Sequence, residues 1–340
     1  MIEIARLFFR FDHFLGAKPI GDGHINDTYQ LEFEFNGQSQ KVLLQRLNHL
    51  VFKQPELVTA NTLLVCEHLS QQDYSYQIAR PLAALDGSFM QKDSGGNYWR
   101  AFSFIEHSYA PEGITDPNIA YEAARAYGAF SRALSGFPAK LLAETIPGFH
   151  DTDRRWEAYL KVLREDPANR VEVSQPEIAA MLTAKPVFDQ ISRLKNSGEL
   201  PLRVAHNDTK AGNVLFDLTT HKALAVIDLD TVMPGTLLSD FGDMVRTFAP
   251  DCTEDSTQKP GLRSDVLEAL TRGFLEETES FLTPTERDSL MLGAAWMIGE
   301  QALRFLTDWL AGDVYYKISS PEHNLVRARN QLALFGMYDV

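Results

Sequence analysis

The apolar residues of this 340-residue chain change their spacing once, near His107, and that change restricts the fold class more than any other feature. Before it the period is that of strands. From Thr28 to Phe35, Leu31, Phe33 and Phe35 alternate with Glu32 and Glu34, and Asn36-Gly37 follows, a pair suited to a two-residue hairpin turn. The return strand is Lys41–Arg46. A helix opens at Pro55 and runs to about Leu69, and further strands fall within Gln77–Gln91 and Tyr98–Glu106. The first fourteen residues, in which Glu3, Arg6, Arg10 and Asp12 interrupt an apolar run, read as an amphipathic helix. After His107 the spacing becomes helical over Pro117–Leu134, Thr152–Arg164, Gln175–Lys195, Ser264–Glu279, Pro284–Gly312 and Pro321–Leu334. One short hairpin, Val214–Phe216 with Ala223–Ile227, is embedded among these helices. The pattern implies an α+β chain, with a β-rich part over 1–105 and a larger, mainly helical part over 106–340.

Charge and composition remove several function classes. The formal net charge is −14, so a polyphosphate backbone is repelled and no nucleic-acid partner is expected. A single nucleotide is still compatible, since a local cationic pocket and a divalent ion can serve one phosphate chain. Cys66 and Cys252 stand alone, outside any CxxC or Cys/His cluster, which excludes a readable zinc site and fits a reducing, cytoplasmic setting. No uncharged run reaches the roughly 18 residues of a membrane span, so no membrane partner is expected either.

The chemistry concentrates in His206-Asn-Asp208-Thr-Lys210-Ala-Gly-Asn213. Phosphoryl-transfer loops of the form H-x-D-x-x-x-x-N use the Asp to take a proton from the acceptor hydroxyl and the Asn to hold a metal ion. Lys210 is near enough in sequence to reach a transferring phosphoryl group. Downstream, Val226-Ile-Asp228-Leu-Asp230 ends the second strand of the hairpin, which sets Asp228 beside Asn213. An amide oxygen and a carboxylate there form a plausible oxygen-ligand Mg²⁺ site, with Asp230 as a further candidate ligand. Asp240-Phe-Gly242 spells a protein-kinase metal motif, but Pro234-Gly235 separates it from the hairpin. It reads instead as a helix start, with Asp243 and Arg246 on one face.

Upstream, Gly21-Asp22-Gly23-His24-Ile25-Asn26 fits a glycine-rich loop over phosphates, with Asn26 where a third glycine would stand. As bland alternatives, these glycines make a plain turn, His24 a loop or core histidine, and Asp208 a helix cap. The kinase pattern also places a cation on the Lys41–Arg46 strand. Gln45 or Arg46 occupies the expected end, and alternation does not choose between them. In the last long helix Glu300, Arg304 and Asp308 recur at four-residue spacing, near Phe305, Trp309, Tyr315 and Tyr316. Spacing alone favours a surface ladder of ion pairs over a sugar-binding wall.

HNDTKAGNVLFD, VIDLDTVMPG and SDFGDMVR together resemble the aminoglycoside/choline-kinase-like phosphotransferases. GDGHINDTY, VFKQPE, IPGFHD, RFLTDWLAGDVYYK and PEHNL extend the resemblance over nearly the whole chain, and are most similar to bacterial N-acetylhexosamine 1-kinases. The resemblance implies a two-lobed protein-kinase-like fold and ATP- and Mg²⁺-dependent transfer to the anomeric hydroxyl of an N-acetylhexosamine. It implies Asp208 as base, Asn213 and Asp228 as Mg²⁺ ligands, the Gly21–Asn26 loop over the ATP phosphates and a hinge at Phe104–His107, including Glu106, against adenine. Asp243, Arg304 and Asp308 are expected on the acceptor side. Other acceptors, such as another sugar, an aminoglycoside, choline or homoserine, use the same fold. A regulator that binds nucleotide without catalysis would lack Asp208, Asn213 or Asp228, and all three are present.

Overall fold

The computed structural model describes residues 1–21, 26–114 and 116–338, and its packing divides the chain into two compact units. The first gathers Met1–Pro111, Ala133–Pro147 and Gly212–Pro234. It contains helix α1 (Ile2–Phe8), strands β1 (His13–Pro19), β2 (Asp27–Phe35) and β3 (Gln38–Leu47), helix α2 (Pro55–Ser70), and strands β4 (Pro81–Leu82), β5 (Gln91–Lys92), β6 (Tyr98–Ser103) and β7 (Ser108–Tyr109). The main sheet is antiparallel in the order β1-β2-β3-β6-β4, with β5 also on β6. Phe35 pairs with Gln38 across Asn36-Gly37, both left-handed at φ 51 and 71, so the expected hairpin turn is present.

Strand alternation sorts the two faces of this sheet. Leu31, Phe33, Val42, Leu44, Trp99 and Ala101 pack on Ile4, Ala5 and Phe8 of α1. Gln45 and Arg100, register partners on β3 and β6, fall on the other face. The helix expected over the first fourteen residues ends at Phe8. Phe9 and Phe11 lie on the Phe33 ring, with centroids 5.3 and 5.6 Å away, and Asp12 N donates to Glu34 O at 2.8 Å, so sheet contacts override helical propensity there.

The embedded hairpin, Val214–Asp217 with Ala223–Val226, folds with this first unit. Ser108 and Tyr109 of β7 pair with Asp217 and Phe216, and Gln77 N donates to Leu224 O at 2.8 Å. Asn61 of α2 donates to the carbonyls of Ala143 and Val232 at 2.8 and 2.9 Å. These bonds explain why the packing boundary does not follow one cut near residue 105.

The second unit gathers Glu112–Arg132, Gly148–Ala211 and Gly235–Val340. Its helices are α3 (Pro117–Ala133), α4 (Thr152–Glu165), α5 (Gln175–Leu182), α6 (Lys185–Asn196), α7 (Leu237–Phe248), α8 (Ser264–Thr278), α9 (Pro284–Asp288), α10 (Leu290–Ala311) and α11 (His323–Phe335). A short strand, Arg203–Ala205, escaped the sequence reading. Two expected helices are each divided. Pro186 sits in the first turn of α6, where a missing N–H is tolerated, and the chain turns before it at Thr183–Ala184. Thr283 and Glu286 form a capping box around α9, and the chain breaks at Ser289 before α10 begins. Helix α10 runs through the core, where Trp296, Phe305 and Leu306 pack with Tyr159, Phe188 and Leu325.

Helices α7 and α10 meet through two glycines. A Cβ on Gly242 would lie 2.2 Å from Gly293 O, and one on Gly293 would lie 2.6 Å from Leu238 O. Neither neighbour is a flexible side chain, so the backbones must separate to admit a methyl group. Gly242→Ala is expected to cost at least about 2 kcal/mol in urea denaturation. A loss below about 0.5 kcal/mol would show that the two helices part without strain.

Candidate active site

In the second unit the segment after Ala205 leaves its strand and turns. His206 is fully buried, with its ring edge-on to Tyr127 and Phe130 of α3 at centroid distances of 5.3 and 5.8 Å. Asn207 is left-handed at φ 63, which Asn tolerates better than most residues. Helix α7 then holds the turn. Asp240 Oδ2 accepts from His206 N and Asp240 Oδ1 from Asn207 N, both at 2.8 Å. Asp243 Oδ2 accepts from Thr209 N at 2.9 Å, while its Oδ1 accepts from Arg246 Nε at 2.9 Å. Thr209 Oγ1 donates to Asp240 O at 2.7 Å, and Tyr127 Oη donates to Lys210 O at 2.8 Å. The neighbours of Asp208 are therefore fixed, while Asp208 Oδ2 and Lys210 Nζ lie 3.0 Å apart with both side chains partly exposed.

The sequence expectation of a helix at Asp240-Phe-Gly242 agrees with α7, whose cap is Thr236, accepting from Leu238 N at 3.1 Å. Both Asp240 oxygens are occupied by backbone. Burial pushes its carboxyl up to about 7, against the two backbone N–H donors and with help from the Asp243 charge.

In the first unit the hairpin sets Asn213 opposite Ile227, the residue before Asp228. Val214 pairs with Val226, and Ile227 N donates to Asn213 O at 2.9 Å. Asp228 is left-handed at φ 61 and opens the 3-10 turn Leu229–Thr231. Asp230 has different surroundings. It forms a buried ion pair with Arg100, accepts from Asn26 Nδ2 at 2.7 Å, and its carbonyl accepts from Thr145 Oγ1 at 2.9 Å. With a guanidinium on one oxygen and an amide on the other, its carboxylate is committed to protein. That is a correction to its candidacy as a further metal ligand.

The glycine-rich segment is described only at its ends. Gly21 is left-handed at φ 71, and Asn26 Oδ1 accepts from Asn48 N at 3.0 Å. Gly23 and His24 lie outside the described residues. On β3 the two candidates for the phosphate partner separate. Gln45 Nε2 donates to Thr28 Oγ1 at 2.9 Å, and its Oε1 accepts from Arg100. Arg46 is exposed and pairs with Asp27. Phe104 is half-buried, and Glu106 is exposed and 3.3 Å from Lys41 Nζ. Sequence reasoning missed Arg100. Its signal was a lone arginine inside the apolar run Tyr98–Phe102, opposite the strand end where a cation was sought.

The expected surface ladder on α10 is not one. Glu300 is buried and binds inward, with His150 Nδ1 at 2.8 Å, Thr152 Oγ1 at 2.5 Å and Arg155 Nε at 3.5 Å. Burial would raise its carboxyl, but the His150 and Arg155 charges and the Thr152 hydroxyl hold it down to about 2. Asp308 is also buried, and accepts from the N–H groups of Val314, Tyr315 and Tyr316 and from Asn324 Nδ2. It shapes the turn after α10. Arg304 lies near the Phe149 and Tyr316 rings, 5.5 and 5.6 Å from their centroids, and donates to Gln301 Oε1 at 3.1 Å. Among the described residues no carboxylate comes within ion-pair distance of it. Arg155 is depressed first by burial and then by the Arg304 charge, whereas Arg304 is raised by Tyr316, Glu300 and Tyr315 against its own burial.

Among the described residues no three His, Cys, Asp or Glu side chains cluster as a metal site. One carboxylate with one amide is instead a donor set for Mg²⁺, which retains several waters and binds substrate phosphates.

The Asp240 geometry yields a pH prediction. Its folded value of about 7 exceeds the ordinary 3.8, so its contribution to stability is full below about pH 4 and is lost as pH rises through 7. Asp240→Asn removes that titration. The stability difference, wild type minus variant, should fall between pH 4 and pH 7 by an amount on the order of a few kcal/mol. A difference that stays constant over that window would mean the carboxyl is not shifted.

Residues 16–274 match the family model described as the phosphotransferase enzyme family. Solved structures share the fold at low identity. An aminoglycoside phosphotransferase from Alicyclobacillus acidocaldarius aligns at TM-score 0.61 and 13% identity, covering 98% of this chain and 93% of that one. Spectinomycin phosphotransferase, solved with ADP and spectinomycin, aligns at TM-score 0.61 and 16% identity over 99% and 96% of the two chains. Choline kinase from Cryptosporidium parvum aligns at TM-score 0.58 and 12% identity over 99% and 93%.

Proposed function

The chain belongs to the phosphotransferase enzyme family and is a small-molecule kinase acting on an alcohol group; from that premise we propose that it moves the γ-phosphoryl group of ATP to the anomeric hydroxyl of an N-acetylhexosamine. The acceptor reading rests on one observation: Arg304, beside two aromatic rings and near Arg155, has no carboxylate partner among the described residues. A cationic acceptor such as an aminoglycoside or choline is recognised by carboxylates or by aromatic rings free of competing cations. A neutral sugar bearing an amide carbonyl offers oxygens to a guanidinium and an apolar face to the rings. Asp243 and Asp308 then serve the acceptor side by positioning, the first through Thr209 and Arg246, the second through the turn that carries Tyr315 and Tyr316.

Asp208 orients the sugar hydroxyl and accepts its proton as the bond to phosphorus forms. The anomeric hydroxyl is more acidic than an ordinary alcohol, which suits a carboxylate base. Lys210, 3.0 Å from Asp208, neutralises charge on the transferred group. Asn213 and Asp228 are the residues that would hold Mg²⁺. When bound, the ion supplies charge neutralisation at the nucleotide phosphates. Gly21 and Asn26, the described ends of the glycine-rich segment, would border the nucleotide phosphates, and Phe104 with Glu106 would border the adenine.

The test is ATP consumption with Mg²⁺ across N-acetylglucosamine, N-acetylgalactosamine, glucose, galactose, choline and kanamycin, with ³¹P and ¹H NMR of the product. An anomeric phosphate on an N-acetylhexosamine is expected. Turnover confined to choline or kanamycin would discard the acceptor reading and keep the kinase. Asp208→Asn is expected to bind ATP normally while kcat falls at least about a hundredfold. Near-normal kcat would remove Asp208 from the role of base.

A further inference from the structure

We propose that Arg100 is the cation that pairs with the nucleotide phosphates in this chain. The inference rests on the nucleotide-binding reading above and assigns a residue that the sequence pattern left open. In kinases a lysine on the third strand takes that role and is itself held by a glutamate. Here the corresponding strand end carries Gln45, which has no charge. Its Oε1 accepts from Arg100 Nε at 2.9 Å and from Arg100 Nη2 at 2.6 Å. The cross-strand partner of Gln45 thus brings a guanidinium to the place where the strand's own side chain has none.

The glutamate has a counterpart too. Arg100 Nη2 pairs with Asp230, two residues beyond the proposed metal ligand Asp228. The same carboxylate accepts from Asn26, the last residue of the glycine-rich segment. Arg100 is therefore tied, through one carboxylate, to both elements assigned to the phosphates. Neither Glu56 nor Glu67, the acidic residues of α2, contributes a hydrogen bond or ion pair to it among the described residues.

A third observation points to a ligand. Arg100 is only 3% exposed, and its Nη1 has no hydrogen-bond acceptor among the described residues. A buried donor of this kind is costly unless an acceptor arrives. A phosphate oxygen suits it, because Nη1 and Nη2 point forward as a fork and one tine is already occupied by Asp230. The contacts with Gln45 and Asp230 account for Nε and Nη2 but leave Nη1 without an acceptor among the described residues.

The experiment measures affinity for ADP and for adenosine, each with Mg²⁺, by isothermal titration calorimetry. In Arg100→Lys the charge and the pair with Asp230 can persist, but the second forward donor is lost. The Kd for ADP is expected to rise at least about tenfold while that for adenosine stays within about twofold. Should Arg100→Lys fail to fold, the double variant Arg100→Gln with Asp230→Asn leaves no unpaired buried charge and is expected to show the same selective loss. An unchanged ratio of the two affinities, or an equal loss of both, would overturn the assignment and leave Arg100 a scaffold residue. A wild-type protein that binds neither ATP nor ADP would instead overturn the nucleotide reading, and the role of Arg100 with it.

Discussion

One buried carboxylate sets the shape of the His206–Lys210 loop. After Ala205 the chain has to turn sharply to present Asp208, and the left-handed Asn207 leaves adjacent backbone N–H groups without strand partners. Asp240 takes those of His206 and Asn207, and Asp243, one turn along α7, takes that of Thr209. Burying two acids on one face of a helix is expensive, and the elevated Asp240 carboxyl is the visible part of that cost. It is offset because the alternative is worse: the same N–H groups would be buried with no acceptor. The loop therefore depends on where α7 lies, and α7 lies where Gly242 and Gly293 let it approach α10. Two glycines with no chemistry of their own fix the backbone on which Asp208 is mounted.

Asp230 does comparable work in the first unit by different means. Its compensation comes from a guanidinium and an amide, not from backbone N–H groups. Val-Ile-Asp-Leu-Asp offers two aspartates that look equivalent on paper, and their surroundings separate them. Asp228 stands at the left-handed end of the hairpin, one residue beyond the Ile227–Asn213 bond. Asp230, two residues on, points into a polar network with Arg100, Gln45, Asn26 and Thr145. A carboxylate paired with arginine gains little from a metal, because the cation would have to displace a charge-assisted bond already formed.

The difference between these two acids shows what sequence can and cannot carry. Local signals were readable: the Asn36-Gly37 turn, the alternation in β2, the hairpin between Asn213 and Asp228, and the helical start at Asp240. Each is set by neighbours a few residues away. Interactions across long stretches of chain were not readable. The Arg100–Asp230 pair spans 130 residues, and the contact of Glu300 with His150 spans 150. Four-residue spacing on α10 suggested a surface ladder because spacing gives a common face but not what that face meets. The divided helices failed for a related reason. Pro186 and the Thr283–Glu286 box are local signals, and both were overlooked within longer apolar runs.

The overall charge carries the same lesson for the acceptor. A chain with net charge −14 suggests an affinity for cations. Around Arg304 the local groups decide instead. Glu300 is held ionised down to about pH 2 by His150, Arg155 and Thr152, and its charge, with the Tyr316 and Tyr315 hydroxyls, also raises Arg304 against the cost of burial. Arg155 is depressed chiefly by burial and then by the Arg304 charge. Screening confines the acidic surface to its own vicinity, since fields from exposed charges fade over about 10 Å at ordinary ionic strength, while a buried guanidinium beside aromatic rings is screened far less. Among the described residues the groups next to Arg304 are the Phe149 and Tyr316 rings and the Gln301 amide, and no carboxylate lies within ion-pair distance.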